Sequence, residues 1–233
     1  MKKNLAFGLL IAAITTSAFA EESAAPVDTV SGSAKFIGGD IGSVSGYLDT
    51  TGTIVSGLIA NGWTSASSAQ SVGASTYNIH GGKWLSDTTA WEVGYNSFGS
   101  VPGSFSASTT TQRYSGTNSY SATNIYAAIL KASRLGSGKA YAKAGLHSTS
   151  TKTEYNSSRY SGTTLTGVGS GSTTKSNMGF VLGAGYEYPF SSTWAVRFDI
   201  NMFTNAQFAN VWNFAIIETK TLVQSSVGVN YNF

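Results

Sequence analysis

The chain has no cysteine, which excludes a disulfide framework, a thiolate nucleophile and a cysteine-ligated zinc site. It has two histidines, His80 and His147. They are isolated in sequence, and a metal site needs more ligands at sensible spacing. Charge is scarce: Asp, Glu, Lys and Arg make up 11% of the residues, against about 25% in an average soluble domain. Long apolar runs are missing too, since nothing after the N-terminus approaches the ~18 consecutive apolar residues of a spanning helix. The formal net charge of +3 comes without any basic cluster interleaved with aromatics, so nucleic acid is not an expected partner. Gly167-Val-Gly-Ser-Gly171 lacks the Lys-Ser/Thr of a phosphate loop and reads as flexible loop. No cofactor is expected.

What is present begins at the N-terminus. Lys2 and Lys3 precede an apolar stretch from Leu5 to Ile14, and Ala18-Phe19-Ala20 follows as an A-x-A cleavage site. Residues 1–20 therefore read as a secretory signal peptide cut after Ala20. Two of the 14 Lys and Arg leave with it, so the mature part is nearly neutral, 12 against 11 Asp and Glu. Removing 20 of 233 residues leaves 213, ample for one barrel or one sandwich.

The mature part is rich in Gly, Ser, Thr and aromatics, and its signal has a period of two. At the C-terminus Val223, Ser225, Val227, Val229, Tyr231 and Phe233 share one face, while Gln224, Ser226, Gly228, Asn230 and Asn232 share the other. Phe180, Leu182, Ala184, Tyr186 and Tyr188 alternate with Val181, Gly183, Gly185 and Glu187; beyond a turn at 189–192, Trp194, Val196, Phe198, Ile200 and Met202 alternate with Ala195, Arg197, Asp199 and Asn201. Weaker alternation predicts strands over 54–65, 74–83, 89–98, 122–133 and 139–150. The sum is eight, an even number, with each strand long enough to cross a bilayer at a tilt. Turns after the second, fourth and sixth strands are short. The connections 99–121, 151–176 and 206–220 are long, polar and expected to be mobile, while 66–73 is intermediate. Residues 21–52 do not fit this count. They read as a periplasmic extension, a segment tucked into the lumen, or an extra strand pair making ten; the extension is the working expectation.

The terminal strand resembles the closing strand of bacterial outer-membrane barrels. Tyr77-Asn-Ile-His-Gly-Gly-Lys-Trp-Leu-Ser-Asp-Thr-Thr-Ala-Trp-Glu-Val-Gly-Tyr95 resembles the second hairpin of OmpA-like barrels, and Gly183-Ala-Gly-Tyr-Glu-Tyr-Pro-Phe-Ser-Ser-Thr-Trp-Ala-Val-Arg-Phe-Asp199 their sixth and seventh strands. The resemblance covers residues 53–233 and implies an all-β, eight-stranded, antiparallel up-and-down transmembrane β-barrel of the OmpA-like and OmpX-like kind. It also implies integral outer-membrane localisation with extracellular loops, and lipid and the outer-membrane assembly machinery as partners. Val229, Tyr231 and Phe233 would carry the assembly signal. No peptidoglycan-binding domain follows the barrel in this sequence.

Glu92, Lys143, Glu187, Arg197 and Asp199 fall on polar strand faces, so closing the sheet puts them in the lumen, where charges must pair. The resemblance implies an ion-pair network that plugs or gates the interior. Small barrels also fill their interior with side chains as packing. His147 with Ser148, Ser150 and Glu154 suggests a rim-located lipid hydrolase, but position 149 is Thr where such enzymes carry the Ser of His-x-Ser, and spacing alone does not make a triad. The expectation is non-enzymatic: a structural surface protein whose long loops meet a host or environmental ligand. A narrow gated pore for ions or small solutes is the alternative. A soluble sandwich would explain the apolar stripes but not the terminal Phe together with the loop asymmetry.

Overall fold

In a computed structural model, described for residues 34–46, 51–71, 73–209 and 217–233, the chain is a closed antiparallel sheet. The elements are β1 (Lys35–Ser45), α1 (Thr51–Ala60), β2 (Ser65–Gln70), β3 (Gly73–Ser86), β4 (Thr89–Ser108), β5 (Gln112–Leu135), β6 (Gly138–Ser161), β7 (Thr164–Pro189), β8 (Trp194–Ala209) and β9 (Ile217–Asn232). Eight strands form the ring in the order β1-β3-β4-β5-β6-β7-β8-β9, and β9 pairs back onto β1. Closure leaves no unpaired edge within the ring. The expected eight-stranded barrel is therefore found. No described helix is long and apolar enough to cross a membrane.

The period-two reading sorts correctly into two faces. On β7, β8 and β9, Phe180, Leu182, Phe198, Val227 and Val229 point out, whereas Val181, Arg197, Asp199, Gln224 and Asn230 are buried inside. Ile37, Ile41, Ile79, Val93 and Ile125 continue the outer belt. One ring of apolar side chains around a polar interior is what a lipid-crossing barrel requires.

Two expectations are corrected at the start of the barrel. Residues 54–65 are not the first strand: 51–60 form α1, which lies in the first connection. The deciding pattern is helical, with Ile54 buried and Leu58 half-buried at i and i+4. A Schellman cap stops the helix: Gly62 has φ +86°, its N–H donates to the Ile59 carbonyl, and Trp63 N–H donates to the Leu58 carbonyl. The first strand instead comes from the stretch taken as an N-terminal extension. β1 pairs with β3 from Lys35↔Lys83 to Ser45↔Gly73, and with β9 from Phe36↔Asn232 to Ser45↔Val223. The ring stays at eight because one strand is lost and one gained. The signal peptide, with Ala18 and Ala20, lies outside the described residues.

The long connections are also not loops. A tilted strand crosses with about 10 residues, yet β4 to β7 run for 20, 24, 24 and 26 residues. Their pairing is continuous to the tips, Gln112↔Ser161 between β5 and β6 and Ser161↔Thr164 between β6 and β7. β2 continues the line of β3 along the upper part of β4, from Ser65↔Ser108 to Gln70↔Gly103. The Ser/Thr/Gly content that suggests mobility belongs to a sheet solvated on its outer face. Gly167, Gly169 and Gly171, expected in a flexible loop, lie in β7, and Tyr155 packs over Gly171, where a Cβ would stand 2.6 Å from the ring. Of the connection 206–220, β8 and β9 take the two ends, and the middle lies outside the described residues. The opposite end has short turns, for example Gly136-Ser137, where Gly136 takes φ +60° as a tight hairpin requires.

Candidate functional site in the barrel interior

The interior is layered. At the short-turn end Phe36, Trp84, Ala90, Leu130, Ala132 and Tyr141 form an apolar floor. At the long-hairpin end of the ring Phe98, Val101, Tyr120, Val181, Phe203 and Leu222 form an apolar roof. Between them lie the charges, and next to the charges a band of buried amides, hydroxyls and imidazoles that includes Asn78, Asn96, Asn124, His147 and Thr149.

Glu92 is the hub. Its Oε2 accepts from Arg197 Nη1 at 2.6 Å, and its Oε1 accepts from the Tyr126 hydroxyl at 2.7 Å and is ion-paired with Lys143 Nζ, also 2.7 Å away. Arg197 also grips Asp199 with both Nε and Nη2, the latter 3.2 Å from Oδ1, and Lys143 Nζ lies 3.4 Å from the same oxygen. The four side chains come from β4, β6 and β8 and are at most 3% exposed. Two tyrosines close the layer by cation–π contact: Tyr141 with Arg197, centroid to Cζ 4.9 Å, and Tyr126 with Lys143 at 5.1 Å. Glycines on the neighbouring strands make space for the rings. A Cβ on Gly94 would stand 2.6 Å from the Tyr126 ring, and one on Gly185 would fall on the Tyr141 hydroxyl.

Of the five charges taken as a lumen set, four meet and one does not. Glu187 is half-buried nearer the short-turn end, where its Oε2 accepts from Asn230 Nδ2 at 2.6 Å and it faces Lys139 across the β6–β7 ladder. It borders a cavity of about 550 Å³ together with Trp84, Arg134, Lys139 and Asn232. Val229 and Tyr231 point outward on β9, and Phe233, stacked on Tyr231 with centroids 5.9 Å apart, exchanges two backbone hydrogen bonds with Lys35.

The hydrolase arrangement is not assembled. His147 Nε2 donates to the Thr204 carbonyl at 2.8 Å, and its Nδ1 is 2.9 Å from both Asn124 Nδ2 and Thr149 Oγ1. Glu154 lies seven positions on, on the opposite face of β6, paired with Lys152 at 2.6 Å. Ser148 is exposed on that outer face. Among the described residues no three His, Cys, Asp or Glu side chains gather as a metal site.

Sequence reasoning missed Asp40, Tyr126, Tyr141 and Asn230. Asp40 sits on the inner face of β1 with Phe36 and Val44, opposite the outward Ile37 and Ile41. That alternation is in the sequence, but glycines at 38, 39 and 42 thin it out. The tyrosines lie on the weakly alternating strands, and the charges they contact are distant in sequence.

The family model for the outer membrane protein beta-barrel domain matches residues 6–233. Among curated proteins none matches. Solved structures of similar fold include Neisserial surface protein A, at 12% identity, covering 86% of this chain and 99% of that one with a TM-score of 0.46. The attachment invasion locus protein Ail of Yersinia pestis shows 11% identity, 87% and 99% coverage and a TM-score of 0.44. The N-terminal barrel domain of Pseudomonas aeruginosa OprF shows 10% identity, 85% and 97% coverage and 0.43. The closed ring, its apolar belt and a family match over nearly the whole length agree: the chain belongs to the outer membrane protein beta-barrel domain family and is an integral protein of the outer membrane.

Proposed function

We propose that the chain works at the cell surface, as a structural barrel that holds a stiff polar sheet out into the surroundings for adhesion or host contact. The supporting observation is the continuous pairing of β4 to β7 beyond the belt, from Val101↔Tyr120 to Ser108↔Arg113 and from Thr151↔Lys175 to Ser161↔Thr164. About ten to sixteen extra residues per strand add roughly 30–50 Å along the sheet at ~3.3 Å each. The sheet carries its own packing: Trp63 stacks on Tyr114 with centroids 5.6 Å apart, Phe105 packs on Tyr114 at 5.2 Å, and Arg159 lies 5.6 Å over Trp63. A sheet held this way offers a contact surface without the ordering entropy a mobile loop must lose on binding. Lipid at the belt and the assembly machinery at the C-terminal strand complete the set of partners. The role is non-enzymatic.

The experiment is attachment of bacteria displaying the full chain to cultured epithelial cells and to bare glass. A variant with residues 104–117 and 155–171 each replaced by a two-residue turn, matched for folded barrel in the outer membrane, should lose the gain in attachment. Equal attachment by the shortened barrel would refute the reading. A second reading, a narrow gated pore, has one observation behind it: Lys143 and Arg197 both bind Glu92 and Asp199, so the pairings can exchange without leaving a charge alone.

A further inference from the structure

Asp40, Glu92 and Asp199 are buried in the interior with only two fixed cations, Lys143 and Arg197. One positive charge is lacking, and an isolated charge in such a space is very costly. His80, also buried, is placed to supply it. Its Nε2 lies 2.7 Å from Asn230 Oδ1, while Asn230 Nδ2 donates to Glu187 Oε2 at 2.6 Å. With the amide nitrogen committed to a carboxylate, the amide oxygen faces the imidazole, so Nε2 carries a hydrogen. The other ring nitrogen, Nδ1, is 3.3 Å from Asp40 Oδ2. Without a hydrogen between them, two lone pairs would oppose each other in a buried site.

We propose that Asp40 and His80 form a buried one-proton site that supplies the missing interior charge, and that Asn230, held by Glu187 at the edge of the short-turn-end cavity, fixes its tautomer. The proton sits on His80 Nδ1, at ion-pair distance from the Asp40 carboxylate, and gives a partner to buried polar atoms that otherwise have no hydrogen bond.

The backbone is cut to fit this relay. A Cβ on Gly38 would stand 2.5 Å from His80 Nε2 and on top of Asn230 Oδ1, and one on Gly228 would fall on Asp40 Oδ1. Both glycines lie on β1 and β9, the pair that closes the ring. The site therefore spans the seam β9–β1–β3. The groups facing it from the other strands are Glu92 of β4, Tyr126 of β5, Tyr141 and Lys143 of β6, Glu187 of β7, and Arg197 and Asp199 of β8, with Asn78 beside it on β3. Without that proton three carboxylates would stand against two cations across the closing seam. The inference does not depend on adhesion or conduction.

The test is a long-range ¹H–¹⁵N correlation spectrum of the histidine rings of the refolded full chain in detergent micelles at pH 8, where an exposed imidazole of pKa about 6.5 is neutral. The expected result is a hydrogen on both ring nitrogens of His80, unchanged between 20 mM and 500 mM NaCl, while His147 shows a single hydrogen, on Nε2. Asp40→Asn should remove the Nδ1 hydrogen of His80. A bare Nδ1 in the wild type overturns the proposal, and so does a spectrum that shifts with NaCl, which would put a small cation in place of the proton. The wild-type spectrum decides the matter even if the variant fails to fold.

Discussion

Replacing Arg197 by Met tests the interior in isolation. The guanidinium is 1% exposed, donates to both Asp199 oxygens and to Glu92 Oε2, and stacks on Tyr141. Without it Glu92 and Asp199 share one ammonium, Lys143 Nζ, at 2.7 and 3.4 Å. Breaking a buried pair by removing one partner costs about 3–5 kcal/mol, because the stranded charge has no solvent to turn to. With a urea slope of ~2 kcal/mol/M, that lowers the unfolding midpoint by roughly 2 M. The assay is urea unfolding from phospholipid vesicles, followed by tryptophan fluorescence and by heat-modifiable gel mobility. The control is a layer with no charge left in it: Glu92→Gln, Lys143→Met, Arg197→Met and Asp199→Asn together. It should recover most of the loss, since replacing a whole buried ionic set by neutral side chains is often neutral or stabilising by ~1–4 kcal/mol. A midpoint drop below ~0.5 M for Arg197→Met alone, about 1 kcal/mol, would refute the reasoning.

Other outcomes follow from the same geometry. Gly185→Ala should cost about 1–3 kcal/mol through overpacking, read from the same unfolding curves, because its Cβ meets the Tyr141 hydroxyl. Deleting Phe233 removes both backbone bonds to Lys35, at 2.8 and 2.9 Å, and should lower the folded fraction recovered from the outer membrane; an unchanged yield would remove any assembly role from that residue. In planar bilayers the wild-type barrel should be silent, with its apolar floor and roof closing the lumen. Reproducible conductance steps that grow in Arg197→Ala would move the account to the gated pore.

Much of this barrel was legible because lipid and lumen impose opposite chemistry on alternate residues. Where large apolar side chains follow one another on the outer face, as at Phe180 and Leu182 and from Trp194 to Met202, the period of two was unmistakable. It failed where small residues take outer as well as inner positions, as at Gly38, Gly39, Gly42 and Ser43 of β1, so the first strand was sought one element too late. The helix 51–60 was missed because Ile54, Val55 and Ile59 are β-branched and suggest a strand, while the Asn61-Gly62 stop signal stood unused. The polar hairpins were taken for loops because above the membrane no apolar face is needed to define a strand. The ion-pair layer was half visible: a charge on an inward position can be read from one strand, but its partner lies on another. Asp199 and Arg197 are two apart in sequence, whereas Glu92 is 105 positions from Arg197.

The central claim is that the surface-exposed part is an ordered sheet standing clear of the membrane. Amide hydrogen exchange of the full chain in phospholipid nanodiscs measures this directly. Backbone amides of 104–120 and 152–174 should be protected from exchange by their cross-strand hydrogen bonds, comparably to amides within the belt. Complete exchange of those segments within seconds, with the belt still protected, would contradict the account and return the hairpins to mobile loops.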